Sequence, residues 1–216
     1  MTKNSASGIG TDVGSEVRQL RKARGLTLKA LSQASEISLS HLSAIERGAS
    51  NPSVDMLNTI AETLGVTPAW FFVNRKGDGP MERAHIVRAQ HRRDLNVLYG
   101  QSKQELGYQD MLLSSSIGGN FYMGLATYEP NSVATGNTMQ QHEGEQHGLV
   151  VDGTLEMRIH DEVITLNEGD SYSFPANIPH HVFNRTNAPA KLVWAVTPVV
   201  IPSQIARGKT ADNTTD

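Results

Sequence analysis

The chain has 216 residues, of which 38% are hydrophobic and 19% are charged, and its formal net charge is −3. These proportions suffice for a buried core and exclude a self-repelling disordered chain. The absence of cysteine excludes disulfide scaffolds, thiolate metal sites and cysteine nucleophiles.

The sequence lacks the features of a membrane or secreted protein. No apolar run reaches the roughly 18 residues that a membrane-spanning helix requires. Residues 1–14 lack the apolar block of a secretory signal peptide. The sequence therefore predicts a cytoplasmic protein with no membrane partner.

The net charge divides unevenly along the chain. Residues 1–95 hold thirteen basic and nine acidic side chains, whereas residues 96–216 hold six basic and thirteen acidic ones. A segment of +4 followed by one of −7 indicates two modules with different partners. The predicted organisation is a disordered tail over 1–12, a helical domain over 13–73, a linker over 74–96, a strand-rich domain over 97–202 and a second tail over 203–216.

The first module has the spacing of helices. Val13, Val17 and Leu20 lie on one helix face, and glycines follow the apolar stripes where left-handed helix caps are expected. Only three or four residues join the second predicted helix to the third, which is the geometry of a helix-turn-helix. Five short helices are predicted, over 13–24, 27–34, 38–47, 53–64 and 68–72.

A string of residues within these helices points to a known family. The residues that carry it are 17–27, Leu31, Ile37, Ser38, Leu42, Ser43, 45–48 and 51–53. Together they resemble the lambda-repressor-like, Xre-type helix-turn-helix. One departure is Glu36, which stands where the family has glycine in the turn. Because a left-handed backbone disfavours glutamate, a rearranged turn is expected here.

The third helix is the predicted recognition helix. Leu42 and Ile45 face the core, so the short side chains opposite them can reach base edges in a major groove. Basic residues, including Arg21 and Lys22, attract phosphates, and the N-terminus of the second helix can bind one. The candidate DNA contacts are Thr27, Lys29, Ser38, Leu39, Ser40, His41, Ser43, Arg47, Arg18 and Arg24.

The second module has the spacing of strands. From about residue 121 the apolar residues recur every second position, as at Phe121, Met123 and Leu125. About nine strand-like segments with short turns are predicted over 97–202. A closed barrel or jelly roll would protect the edges of so many strands.

Two polar clusters lie within this strand pattern. The first covers 140–147 and leads to Gly153. The second contains, in order, Gly169, Pro175, His180 and Asn184. Together they resemble the paired motifs of the cupin superfamily, although the first motif is degraded. The two resemblances imply a multidomain fold, in which an all-α five-helix helix-turn-helix domain precedes an all-β cupin (jelly-roll) barrel.

The cupin resemblance implies a candidate metal site at Gln140, His142, Gln146 and His180. Residues 140, 142 and 146 share parity, so they would face one side of a strand while His147 faces the other. Glutamine replaces the family's carboxylate ligand, which weakens the site. Three alternatives stay open: a divalent zinc, iron, manganese or nickel ion, an organic effector bound without metal, or satisfied histidines with no ligand.

Aromatic and apolar residues are expected to complete an effector pocket around these polar groups. Phe183 and Trp194 are expected to support it. The predicted pocket comprises Gln140, His142, Gln146, His180, Phe121, Met123, Tyr172 and Phe174.

A helix-turn-helix followed by a cupin resembles a recurring layout of bacterial regulators. It implies a sequence-specific DNA-binding transcriptional regulator, not an enzyme, whose cupin senses a small molecule and controls operator binding. One recognition helix buries too little surface to be selective, so we expect a homodimer on a pseudo-palindromic operator of double-stranded DNA. The alternative is a metal-dependent cupin enzyme fused to a DNA-binding domain.

Overall fold

The computed structural model describes residues 8–72, 85–132, 139–199 and 201, without the side chains of residues 8–12. These residues divide into a helical unit and a strand-rich unit. The division falls near residue 78, and residues 116–118 and 201 group with the helical unit. Among the described helices, none is long and apolar enough to cross a membrane.

The helical unit contains the five predicted helices. Three of them begin at a hydroxyl side chain: Thr27, Ser38 and Ser53 each accept a hydrogen bond from the backbone N–H three residues on. Helix α1 begins inside the predicted tail 1–12. The helices are α1 (Gly8–Ala23), α2 (Leu28–Ser35), α3 (Leu39–Glu46), α4 (Val54–Leu64) and a 3₁₀ helix (Pro68–Phe71).

A buried ion pair connects α1 to α3 within this unit. Arg21 Nε donates to Glu46 Oε1 at 2.6 Å, and Arg21 Nη2 donates to Glu46 Oε2 at 2.9 Å. Arg21 Nη1 also donates to the carbonyl oxygen of Leu26 at 2.7 Å. Leu42 and Ile45 of α3 are fully buried beside the pair, as the sequence predicts. The pair fixes α3 against α1, because separating the two would leave a buried charge without a partner.

The turn between α2 and α3 contains a residue with left-handed backbone geometry. Glu36 ends α2 with φ 56° and ψ 19°. The expectation of a rearranged turn is therefore wrong. Ile37, directly after it, is buried, and Ser32 Oγ donates to the Ile37 carbonyl oxygen at 2.6 Å. These contacts stabilise the turn and offset the free-energy cost of the left-handed backbone at Glu36.

The strand-rich unit consists of two antiparallel sheets. Eight strands are present among the described residues, where the sequence predicts about nine. One sheet has the order β1-β2-β8-β3-β6 and the other has the order β5-β4-β7. The strands are β1 (Tyr108–Leu112), β2 (Tyr122–Tyr128), β3 (Glu145–Asp152), β4 (Thr154–Ile159), β5 (Glu162–Asn167), β6 (Ser171–Pro175), β7 (His180–Phe183) and β8 (Ala190–Thr197).

The strand-rich unit starts earlier in the chain than the predicted boundary at residue 97. Leu95 N donates to the carbonyl oxygen of Asp110, and Leu112 N donates to that of Arg93, each at 2.8 Å. The end of the predicted linker 74–96 therefore pairs with the edge of β1. A 3₁₀ helix (Ala89–His91) and two short helices, α5 (Asn96–Tyr99) and α6 (Lys103–Leu106), precede β1.

Two glycines with aromatic rings packed against them identify the inward face of the large sheet. A Cβ atom at Gly124 would lie 2.3 Å from the Trp194 ring, and one at Gly148 would lie 2.3 Å from the Tyr172 ring. The rings therefore cover these glycines on the inner face. On β2, the buried residues are Tyr122, Gly124, Ala126 and Tyr128.

The prediction that Phe121 and Met123 line the interior is accordingly wrong. The alternation of β2 places Met123 on the opposite face from Gly124. Phe121, just before β2, is 54% exposed. Both faces of this strand carry apolar residues, and the inward face is the one that makes room for Trp194.

The left-handed Glu36 generates the first testable expectation. Glu36→Gly removes a backbone penalty of about 1 kcal/mol and should raise the unfolding temperature of the helical unit, followed by far-UV circular dichroism. The matched change in the opposite direction is Gly65→Ala at φ 70°, which should lower it. Equal unfolding temperatures for Glu36→Gly and the parent chain would contradict a strained turn.

Candidate functional site

The helical unit presents an exposed polar surface around the starts of α2 and α3. Most of the predicted DNA contacts lie in solvent, while His41 and Ser43 are half-buried. Leu39 is 48% exposed at the first position of α3, where a thymine methyl could contact it. The exposed predicted contacts are Arg18, Thr27, Lys29, Ser38, Leu39, Ser40 and Arg47.

Hydrogen bonds organise the side chains on α3. Ser38 Oγ accepts from His41 N at 3.3 Å and lies 3.3 Å from Ser40 Oγ. Arg47 donates to Ser43 Oγ, so the guanidinium is held along the helix surface. A capped helix start with hydroxyls and one guanidinium offers both phosphate contacts and base-edge donors.

Arg24 is the exception among the predicted contacts. It is 6% exposed, and its Nε donates to the carbonyl oxygen of Leu64 at 3.1 Å. Arg24 therefore satisfies the C-terminal end of α4 inside the unit. Arg21, expected to attract phosphates, is also buried in its pair with Glu46. Both expectations are wrong, because the positive charge of these two side chains is used within the fold.

In the strand-rich unit, three of the four predicted ligand residues meet through side chains. His142 Nε2 lies 3.2 Å from Gln146 Oε1, and the rings of His142 and His180 are 5.7 Å apart. Gln140 approaches through its backbone, which exchanges two hydrogen bonds with His180 at 2.7 and 3.0 Å. The Gln140 side chain is exposed and bonds to the Tyr108 hydroxyl.

The route by which these residues meet differs from the predicted one. Strand β3 begins only at Glu145, so His142 and Gln146 do not lie on one continuous strand. A bend returns His142 to Gln146, and His142 N donates to the Ala176 carbonyl oxygen at 2.9 Å. His147 is exposed and faces away from Gln146, as predicted.

His180 carries a buried acceptor without a partner. Its Nδ1 donates to the Ile178 carbonyl oxygen at 2.7 Å, which leaves a lone pair on Nε2. That Nε2 is buried and forms no hydrogen bond with the residues that the structure describes. Burial lowers the pKa of His180 and outweighs the carbonyl contact, which acts in the opposite direction. The imidazole is therefore neutral near pH 7, and its lone pair is available to a donor group or a cation.

Two aromatic rings and one amide form a chain of contacts that begins at the His180 ring. Phe174 lies edge-on to His180 at 4.8 Å and stacks with Tyr172 at 5.4 Å. Gln146 Nε2 donates to the Tyr172 hydroxyl at 3.2 Å. Burial raises the pKa of Tyr172 to about 12, so this hydroxyl stays protonated. Of the predicted pocket residues, the structure brings together His142, Gln146, His180, Tyr172 and Phe174.

A buried carboxyl group that the sequence reasoning missed lies on the same sheet. Asp110 is 3% exposed; Trp194 Nε1 donates to its Oδ1 at 3.0 Å and Tyr99 donates to its Oδ2 at 3.2 Å. Burial raises the pKa of Asp110 to about 7, although the Trp194 and Tyr99 bonds oppose the shift. Its signal in the sequence is an aspartate between Tyr108 and Leu112, at a position where β1 alternates inward.

The donor set fits a metal ion poorly. His142 and His180 supply two imidazoles, and the remaining oxygens are neutral amides, which bind divalent cations more weakly than carboxylates. Among the residues that the structure describes, no group of three histidine, cysteine, aspartate or glutamate side chains converges on one point. The unpartnered Nε2 of His180 favours a ligand of either kind.

Family models match the two units separately. A helix-turn-helix model matches residues 17–71, and a cupin domain model matches residues 124–196. The helical unit is therefore a helix-turn-helix domain, and the strand-rich unit contains a cupin domain.

Proteins that match most of the chain include a transcriptional regulator. The HTH-type transcriptional regulator PuuR of Escherichia coli (strain K12) is 25% identical over 197 residues, covering 89% of this chain and 98% of the relative. A solved HTH_3 family transcriptional regulator from Vibrio cholerae is 19% identical, with TM-score 0.37 and coverage of 88% and 96%. Hydroxypropylphosphonic acid epoxidase from S. wedmorenis is 16% identical, with TM-score 0.43 and coverage of 88% and 100%. The two structural likenesses are too low to bear on function.

The second expectation concerns Asp110 and pH. Its raised pKa means that, between about pH 4 and about pH 7, the folded state keeps a proton that the unfolded state releases. The free energy of unfolding therefore falls as the pH rises through this range. Asp110→Asn keeps an acceptor for Trp194 and removes the ionisation. We expect the variant to exceed the parent chain in urea stability at pH 8, and to match it more nearly at pH 5. The opposite trend with pH would contradict a protonated buried carboxyl.

Proposed function

We propose that this chain, a DNA-binding transcriptional regulator with a helix-turn-helix domain and a cupin domain, binds its operator as a homodimer under the control of a small molecule. The effector enters the cupin barrel and contacts the residues around His180. The protein acts in the cytoplasm, where it reaches chromosomal DNA.

One observation carries the DNA-binding part of this proposal. The N-termini of α2 and α3 are capped by Thr27 and Ser38 and lie in solvent, while the opposite side of α3 is buried through Leu42 and Ile45. An α-helix with one face anchored and the other free fits the major groove. Most side chains on the free face are short, so direct base readout is modest and two half-sites are needed for selectivity.

The unpartnered Nε2 of His180 supports the sensing part. A buried acceptor without a partner costs free energy, and a ligand that donates a hydrogen bond to it would recover that cost. Tyr172 and Phe174 supply apolar contact beside it. Coupling of about 1–3 kcal/mol between the effector site and the DNA surface would change operator affinity by about 5- to 150-fold.

A divalent metal held by His142 and His180, with the amide oxygen of Gln146, is the second candidate ligand. Such an ion would act as a Lewis acid toward a bound small molecule. It would also be required by the alternative function, a metal-dependent cupin enzyme. We favour the sensor because glutamine replaces the expected carboxylate and because the full-length relative is a regulator.

The third expectation tests the DNA surface. Genomic footprinting should identify operators, and anisotropy titrations on one such duplex should then separate two kinds of contact. Arg47→Ala removes a candidate base contact and should weaken specific binding by about 5- to 150-fold. Lys29→Ala removes a phosphate contact and should reduce the slope of log affinity against log salt by about 1.

The matched control for both variants is Lys103→Ala. Lys103 is a partly exposed cation in the strand-rich unit, paired with Glu129, and its removal should change neither affinity nor salt slope. Equal binding of the parent chain to genomic promoters and to random duplex would overturn the proposed function.

The fourth expectation tests the barrel. Protein purified without chelator should contain less than one metal ion per chain, and a metabolite screen should yield a compound that raises the melting temperature. His180→Ala should abolish that shift, whereas His160→Asn, in the exposed β4–β5 turn at φ 51°, should retain it. Stoichiometric iron or manganese that is lost in His180→Ala would instead support the enzyme alternative.

A further inference from the structure

The free face of α3 carries four side chains in a narrow stripe. With about 100° of rotation and 1.5 Å of rise per residue, they fall within roughly 100° of the helix circumference and span about 12 Å of its length. Base pairs are about 3.4 Å apart, so a helix in the major groove brings this stripe against about three or four of them. The four side chains are Leu39, Ser40, Ser43 and Arg47.

The two serines on this face discriminate weakly between bases. Ser40 Oγ lies 3.3 Å from Ser38 Oγ, and Ser43 Oγ accepts a hydrogen bond from Arg47. A serine hydroxyl both donates and accepts hydrogen bonds, so it pairs with a donor or an acceptor on a base edge. Base selection by α3 therefore depends on Leu39 and Arg47.

Leu39 is the apolar member of this face. It is the first residue of α3, and it is 48% exposed. Single apolar side chains are common on protein surfaces, so the exposure alone signifies little. Its place signifies more, because the first residues of a recognition helix are the ones that contact base edges. A bound duplex would therefore bring a base edge against this hydrocarbon.

A hydrocarbon side chain at a base edge selects among the bases by what it cannot do. Adenine, guanine and cytosine are recognised in the major groove through hydrogen-bonding atoms. A leucine packed against such an atom removes it from water without offering it a partner, which costs free energy. Thymine presents a C5 methyl group, and burying that methyl group against leucine is favourable. The position opposite Leu39 is thus favourable for thymine and unfavourable for the other three bases.

The start of α3 is ordered before any DNA binds. Ser38 Oγ accepts from His41 N at 3.3 Å, and the Ser38 carbonyl oxygen accepts from Leu42 N at 3.0 Å. Leu42 itself is fully buried, so the first turn of the helix is anchored to the core. The backbone of Leu39 is consequently fixed, and binding does not have to order it.

We propose that Leu39 contacts the C5 methyl group of a thymine in each operator half-site and selects that base. This inference rests on the proposed function, because it requires α3 to lie in a major groove. The recognised group is the methyl group itself, whichever pyrimidine carries it. A cytosine methylated at C5 presents the same group at the same place, so the chain should also accept 5-methylcytosine at this position.

The fifth expectation is tested by anisotropy titrations of the full chain on an operator duplex identified by footprinting. Each thymine is replaced in turn by deoxyuridine, which lacks only the methyl group. At one thymine position, replacement in a single half-site should weaken binding about fourfold, and replacement in both half-sites about 15-fold, as expected for the loss of one buried methyl group at each.

Variants at position 39 test whether Leu39 makes the contact. Leu39→Ser substitutes a hydroxyl for the hydrocarbon, so it should bind the operator more weakly and lose the response to deoxyuridine. Leu39→Met keeps an apolar side chain of similar volume and should keep the response. Val54→Ala is the matched control, since Val54 is the first residue of α4 and is 77% exposed. It should retain the response of the parent chain at every thymine.

A duplex that contains 5-methylcytosine separates a methyl contact from a change in DNA flexibility. Replacing the selected thymine by cytosine should weaken binding by about 5- to 150-fold, the usual cost of one wrong base pair. Methylating that cytosine at C5 should recover about fourfold per half-site for the parent chain and nothing for Leu39→Ser. An effect of duplex stiffness alone would be the same for both proteins.

The outcomes separate this inference from the function on which it rests. Selective operator binding without any response to deoxyuridine overturns the role of Leu39 and leaves the proposed function intact. A response that persists in Leu39→Ser, or a 5-methylcytosine that recovers no affinity, also overturns that role, because another residue or the duplex shape is then responsible. Equal binding of the parent chain to genomic promoters and to random duplex overturns both.

Discussion

The rings of Trp194 and Tyr172 lie across Gly124 and Gly148, and this close approach organises the large sheet. A Cβ atom at either glycine would lie 2.3 Å from the ring above it, so the two rings and the two glycines must share one face. Trp194 is thereby placed to donate to Asp110, and Tyr172 is placed to accept from Gln146. The positions of these polar groups inside the barrel thus depend on the packing of two aromatic rings against two glycines.

The same constraint explains which parts of the fold could be predicted. The helices were predictable because their signals are local: Thr27, Ser38 and Ser53 cap the helices whose starts they mark in the sequence. The inward face of β2 was not, since both of its faces carry apolar residues. That choice depends on Trp194, which lies far along the chain and meets β2 only after the strands have paired.

The site shows the same division between local and distant causes. His142, Gln146 and His180 were predictable because their spacing belongs to two motifs, even though a bend rather than one strand brings His142 to Gln146. Asp110 was not, because its environment is created by Trp194, 84 residues away in the sequence. Nor does composition reveal that Arg24 is buried and donates to the carbonyl oxygen of Leu64. Counting basic residues therefore overstated the positive charge available to DNA.

The ion pair between Arg21 and Glu46 has a consequence for how binding could be regulated. Because it joins α1 to α3 with two short hydrogen bonds, the recognition helix cannot tilt or slide without the helix behind it. Any regulatory change in the position of α3 must therefore move the helical domain as a rigid body. On a duplex, displacement along the axis by one base pair, about 3.4 Å, also turns the facing groove by about one tenth of a full rotation. In the proposed homodimer, a rigid helical domain would be sensitive to that helical phase, so a shift no longer than a side chain would misalign the two copies with their half-sites.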